Sequence, residues 1–286
     1  MRRATRGGRS MPWWSLAVAL TMIAGLAPVW DAADAASKAK SSKSSRSYAE
    51  DFEWSGTIAR GKAIEVKGVN GGISAEPATG NQVEVVARKS AKRSDPDEVT
   101  IEVIEHAGGV TLCAVYPTPR GERENECQPG EGGRMNTRNN DVQVEWTVRV
   151  PAGVRFIGRT VNGGIEALRL KADVEAYTVN GSIDIQTAGV ARATTVNGSI
   201  DAAMGSSHRE PIEFETVNGG ITLTVPSTSS ADVQCSTVNG DISTDFPLTV
   251  RGKFSHRRLN GTIGRGGPQL MMTTVNGDIR LRSSSL

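Results

Sequence analysis

The sequence predicts an all-β chain whose larger part is a parallel β-solenoid, or β-helix, of stacked Val-Asn-Gly-x-Ile coils. Three observations lead there. Glycine stands at 32 of 286 positions, aromatic residues make up only 5 %, and charge is ordinary at 22 %, a turn-rich composition that excludes collagen-like and wholly disordered chains. Val-Asn-Gly-x-Ile occurs seven times and Leu-Asn-Gly-x-Ile once. Whole columns of apolar residues keep step with that motif. The length admits one or two domains with a sizeable core.

In chain order, residues 1–35 read as an export signal on the general secretory route. Arg2, Arg3, Arg6 and Arg9 form a basic start. Trp13 to Ala27 is an uncharged, mostly apolar run of fifteen, short of the about 20 residues that a membrane-spanning helix needs. Ala33-Asp34-Ala35 offers a cleavage site, with Gly25-Leu26-Ala27 as second choice and an uncleaved anchor as the alternative. Residues 36–47 follow as a Ser/Lys-rich disordered tether without apolar side chains larger than alanine. Its Lys38, Lys40, Lys43 and Arg46 suit a weak contact with an anionic surface such as lipid head groups, although a solvated spacer is the favoured reading.

Charge excludes a nucleic-acid partner. Residues 1–35 hold four of the 33 basic and two of the 31 acidic residues, which leaves 29 of each. Without the tether the folded body is slightly acidic, so no basic patch is expected. In an exported chain disulfides persist. Cys113 and Cys127 flank a Pro/Gly/charged stretch and are expected to pair, closing a loop for about 3 kcal/mol. Cys235 falls in an apolar column and reads as a buried, inert thiol.

Residues 48–155 are expected to hold the first coil at Asn70 and an irregular β cap with a disulfide-bearing insert. Strands are expected over Gln82 to Ala87, Val99 to Ile104, Val110 to Tyr116 and Val142 to Val150, the last with Val142, Val144, Trp146, Val148 and Val150 on one face. Pro117 to Asp141 reads as a long polar loop, with mobility the favoured reading.

Residues 156–286 are expected to be regular solenoid repeats. The motif asparagines are Asn70, Asn162, Asn180, Asn197, Asn218, Asn239, Asn260 and Asn276. Six before them stand Ile64, Phe156, Val174, Ala191, Ile212, Val233, Phe254 and Leu270, and four before them Val66, Gly158, Ala176, Ala193, Phe214, Cys235, His256 and Met272. The third residue after each is Ile. Two before stands Thr, replaced by Gly68 and Arg258. The period of two places the earlier columns on one strand face, and the adjacent Val shows that this face switches near Asn, as at a corner. Asn-Gly is also a strong hairpin signal. A chain of hairpins leaves the repeating columns unexplained, whereas coils stacked about 4.8 Å apart put identical residues over one another. The asparagines would then form an amide ladder, with Gly supplying unusual backbone angles. One coil buries about four modest side chains at about 1.5 to 3 kcal/mol each, against about 1 to 2 kcal/mol per ordered residue. Each coil therefore needs neighbours.

The Val-Asn-Gly-x-Ile array, led by Val148-Arg149-Val150-Pro151-Ala152-Gly153-Val154 into Arg159-Thr160-Val161-Asn162-Gly163-Gly164-Ile165, resembles the bacterial "putative adhesin" domain family, exported proteins of unknown function related to head-GIN domains. The resemblance spans roughly residues 48 to 286. It implies a right-handed β-solenoid and an envelope setting, periplasmic or at the cell surface, and supplies no catalytic residues.

No catalytic, cofactor or metal set is expected, and the chain reads as a non-enzyme. Four after Asn, Glu166, Asp184 and Asp201 would stack in a row, yet the column continues as Thr222, Ser243, Gly264 and Arg280, so an acid/base pair or Ca²⁺ site is incomplete. His106, His208 and His256 fall at unrelated places. The expectation is an adhesin-like binding protein taking an envelope protein or glycan on a flat polar face. The alternative is a self-associating, stress-linked scaffold adding end to end through open strand edges, and a polysaccharide-active β-helix enzyme ranks below both.

Overall fold

The computed structural model describes residues 46–250 and 255–284. The export signal, nearly all of the tether and Phe254 of the first apolar column lie outside them. The described chain is all-β apart from one 3₁₀ turn, Pro96–Glu98. Two eleven-stranded sheets face one another, and almost every contact between consecutive coils is a parallel pairing. Among the described residues no helix is long and apolar enough to cross a membrane.

Each coil crosses from one sheet to the other at its asparagine. The strand before Asn, such as Val174–Tyr177, lies in one sheet and the strand after it, such as Ile183–Thr187, in the other. Ile64, Phe156, Val174, Ala191, Ile212, Val233 and Leu270 are buried from one side, and Ile73, Ile165, Ile183, Ile200, Ile221, Ile242 and Ile279 from the other. The core is one continuous column of side chains in register. The neighbouring Val stands on the outer corner: Val161, Val179, Val196 and Val275 remain 37 to 38 % exposed and Val238 54 %.

Spatial order departs from sequence order at both ends. The asparagine bridges run Asn70, Asn162, Asn180, Asn197, Asn218, Asn276, Asn239. The coil made of Gln269–Thr273 and Ile279–Ser284 is thus inserted between the Asn218 and Asn239 coils. Asn239, and not the later Asn276, is the last rung. At the other end Gly109–Val115 pairs with Ala63–Lys67, and Gln143–Val150 fits between Ile73–Pro77 and Val83–Ala91. The strands of the cap therefore extend both sheets, and they do so as another inserted coil with the segment Tyr116 to Val142 in place of the Asn-Gly corner. Antiparallel strands Phe52–Gly56, Ser47–Tyr48 and Thr100–His106 finish this end.

Asn260 is not in the ladder, contrary to the sequence expectation. It sits mid-strand in Arg258–Ile263, antiparallel to Ala231–Ser236, with Gln234 opposite Asn260. The cause is the polar run ahead of it. His256 and Arg258 occupy columns that elsewhere hold buried apolar residues and Thr, and both are exposed here, since burying a polar or charged side chain is costly.

The glycines are required for a different reason than expected. Gly71 has a positive φ of 119°, but the other ladder glycines are absent from the positive-φ residues. A Cβ on Gly163, Gly181, Gly198, Gly219, Gly240 or Gly277 would stand 2.0 Å from the glycine carbonyl oxygen of the adjoining coil. Close backbone approach, not turn geometry, selects glycine at these six. The Thr column uses that approach. The hydroxyls of Thr160, Thr178, Thr195, Thr216, Thr274 and Thr237 donate to those carbonyls of Gly71, Gly163, Gly181, Gly198, Gly219 and Gly277 at 2.8 to 3.0 Å. Six corner carbonyls are thereby satisfied.

Candidate functional site

Outside this Thr row runs the amide ladder. Each Nδ2 donates to the Oδ1 of the preceding rung: Asn162 to Asn70, Asn180 to Asn162, Asn197 to Asn180, Asn218 to Asn197, Asn276 to Asn218 and Asn239 to Asn276, at 2.7 to 2.9 Å. Asn70 turns its own Nδ2 to the Val142 carbonyl at 3.4 Å. The rungs lie at the surface, with one side-chain proton and one lone pair each facing outward.

Beside the ladder, on the outward face of the sheet after the corner, lies a trough of about 580 Å³. Its floor is Gly72, Gly164, Ser182 and Ser199, and its wall is Glu145, Glu166, Asp184 and Asp201. The strands fix this row by register: Thr147, Ser74, Glu166, Asp184, Asp201, Thr222, Arg280 and Ser243 succeed one another across the sheet. The three sequence-predicted carboxylates are therefore neighbours. Gly264 is not part of the row, and Arg280 precedes Ser243 because of the inserted coil. Burial, then the charges of Asp201 and Glu166, raises the Asp184 carboxyl above its ordinary value. Glu145 is otherwise engaged, accepting from the Gly72 amide at 2.9 Å. No Lys, Arg or His lines the trough, and among the described residues no group of His, Cys, Asp and Glu is placed to hold a metal ion. The arrangement offers hydroxyls, amides and carboxylates at one repeat, which is hydrogen-bonding chemistry.

The insert is docked, contrary to the expectation of a mobile loop. Cys113 points outward from its strand and is disulfide-bonded to Cys127, Cα to Cα 5.8 Å. Lys67 projects from the neighbouring strand, and its ammonium donates to the carbonyls of Gln128, Gly130 and Gly132 at 2.8, 2.9 and 2.7 Å. Burial lowers its pKa, offset by Glu65 and reinforced by Arg159. Glu65 is buried and accepts from Arg159 Nε at 3.0 Å, from the Thr111 hydroxyl at 2.8 Å and from the Gly130 amide at 2.8 Å. Arg159 lies 4.1 Å over the Tyr177 ring. Asn125 pins the base of the insert through the carbonyls of Tyr116 and Asn136. A second groove of about 370 Å³ remains between the insert and the corner at Val69 and Val161. Sequence reasoning missed this cluster. Its only trace is the run of charged outward positions Glu65, Lys67 and Arg159 in strands whose alternate residues are apolar.

Cys235 is fully buried, and desolvation pushes its thiol up to about 12. His106 meets the Thr111 hydroxyl at 3.1 Å and His208 the Pro268 carbonyl at 3.2 Å, far apart in the sequence and in different strands or loops. No triad or ligand set joins them.

Among solved structures the chain is similar to a "putative cell adhesion protein" from Clostridium sporogenes, 10 % identical with a TM-score of 0.42, over 82 % of this chain and 100 % of that one. It is also similar to a "putative adhesin" from Bacteroides fragilis, 11 % identical with a TM-score of 0.27, over 82 % and 97 % of the two chains. No curated protein matches it. Residues 163–282 match the family described as Toastrack DUF4097. That match spans the coil stack from Gly163 to Arg282.

Proposed function

We propose that the protein is an exported, non-catalytic, adhesin-like binding protein of the cell envelope that takes an envelope protein or glycan along the trough beside the ladder. The observation carrying this reading is the register of Glu166, Asp184 and Asp201 over a Gly/Ser floor. A flat, periodic, hydrogen-bonding face matches an extended ligand by shape and by repeated polar contacts, and offers nothing to break a bond. The Cys113–Cys127 disulfide supports an oxidising compartment.

The test is binding of the full mature chain to arrayed envelope glycans and to envelope protein fractions, repeated with Asp184→Lys/Asp201→Lys. Both side chains are exposed, so the variant should melt as the parent does while binding is lost. Equal binding by the variant, or silence across all envelope polymers, counts against the reading. One feature favours scaffolding instead: among the described residues Ile242–Thr244 is the last strand of its sheet, its outer side meeting no further strand and bonded through the Ile242 amide to the His256 carbonyl at 3.0 Å. Light scattering on the eluting protein separates the two, since concentration-dependent assembly supports a scaffold and a monomer supports a binder.

A further inference from the structure

We propose that Asn239–Gly240 is a site of spontaneous deamidation, singled out from the other Asn-Gly pairs because it is the open end of the ladder. The step is an intramolecular acyl substitution. The Gly240 backbone nitrogen attacks Cγ of Asn239, the N–Cγ bond forms and the Cγ–Nδ2 bond breaks. Nδ2 leaves as ammonia, its additional proton balancing the one that the Gly240 amide gives up. Water then opens the cyclic imide at either carbonyl, giving aspartate or isoaspartate. A following glycine exposes the nucleophilic nitrogen in every pair, so the sequence alone does not rank them.

The stack does. In each inner rung the nucleophile is already engaged: the amides of Gly71, Gly163, Gly181, Gly198, Gly219 and Gly277 donate to the carbonyls of Asn162, Asn180, Asn197, Asn218, Asn276 and Asn239 at 2.9 to 3.0 Å. The asparagines that precede those glycines, Asn70, Asn162, Asn180, Asn197, Asn218 and Asn276, also have their Oδ1 tied by the next rung's Nδ2. An amide held in this way turns onto its neighbour's side chain only after the coils separate. Gly240 has no such acceptor among the described residues, and no rung donates to Asn239 Oδ1. Asn239 is exposed. Asn260–Gly261 is held straight between two strands, with Val233 on one side and Val250 on the other of Gly261. The product carries a new negative charge and, in the isoaspartyl form, an additional methylene in the backbone of the terminal coil.

The experiment ages the full chain in mildly alkaline buffer, with circular dichroism confirming that it stays folded, beside a sample held in denaturant. Fragmentation mass spectrometry assigns each conversion, with Asn239→Asp as the product standard. In the folded chain Asn239 should convert at least about fivefold faster than any other Asn-Gly pair, the factor expected for the loss of one hydrogen bond. In denaturant the eight pairs should convert at similar rates. Fastest conversion at Asn276, the rung that sequence order would leave outermost, or even conversion across the folded chain, overturns the proposal.

Discussion

Trp146 and Gly68 are complementary across the core: the indole Nε1 lies 3.3 Å from where a Cβ on Gly68 would stand. Trp146 holds the position that the repeat gives to Ile, opposite Ile73, and Gly68 the position that it gives to Thr. The larger side chain in one column is accommodated by none in the next. Nε1 has no hydrogen-bond partner, so the fit is one of volume. Gly68→Thr is expected to destabilise by about 1 to 3 kcal/mol through overpacking, and Trp146→Ile by about 2 kcal/mol or more through the cavity it leaves. The double variant restores the regular rung and should be more stable than the sum predicts, which a denaturant double-mutant cycle reads directly.

Gly198 has no room for a side chain, since its Cβ would meet the Gly181 carbonyl oxygen at 2.0 Å. Gly198→Ala is expected to cost more than about 3 kcal/mol, because the obstacle is the backbone of the adjoining coil and not a movable side chain. Gly80, where a Cβ meets nothing within 4 Å, is the control. Gly80→Ala should leave the melting temperature unchanged or raise it slightly.

Thr195→Val keeps the shape of the side chain and removes the hydroxyl that donates to the Gly181 carbonyl at 2.9 Å. Leaving that carbonyl unsatisfied is expected to cost about 1 to 3 kcal/mol, measured by urea unfolding. Hydrogen exchange should accelerate first in the coils that flank position 195.

Reduction of Cys113–Cys127 should loosen the insert and spare the stack. The disulfide closes a loop with a sequence separation of 14, worth about 3 kcal/mol in chain entropy. Lys67 still holds three carbonyls of the loop when the bridge is open. Limited proteolysis should therefore cut residues 117–141 faster in reductant, and faster again in Lys67→Met, with the coil fragments intact. Cys235 should take up alkylating reagent only on unfolding.

Asp141 receives the amides of Ser94, Arg93 and Lys92, and these bonds, the Ser94 amide foremost, hold its carboxyl at about 2. A lowered native pKa stabilises the ionised form. Its contribution is complete above the ordinary value of 3.8 and is lost as pH falls through about 2. Amide exchange at Arg93 and Ser94 should accelerate across that window, and Asp141→Asn should flatten the dependence.

The coils were legible because Ile165, Ile183 and Ile200 recur at one offset from Asn and the columns before them repeat in step. The order of the last two coils was not, since Asn239 and Asn276 carry the same columns and either would fit either slot. Asn260 shows the limit of a motif read without its approach strand, for His256 and Arg258 decide its fate. The insert was misread because its anchors are distant in sequence. Lys67 reaches carbonyls 61 to 65 residues away, and no local pattern announces that. The trough was half visible: Glu166, Asp184 and Asp201 could be aligned on paper, while Glu145 joins them only through the inserted strand Gln143–Val150.

The inserted strand Ile279–Ser284, gripped by Ile221–Pro226 on one side and Ile242–Thr244 on the other, changes how the molecule would bear load. A stack wound in sequence order yields to a pull by peeling its outermost turn, one bond at a time. Here a tug on Ser284 shears two rows of parallel hydrogen bonds together. The strand Ile279–Ser284 is thereby built to hold under traction.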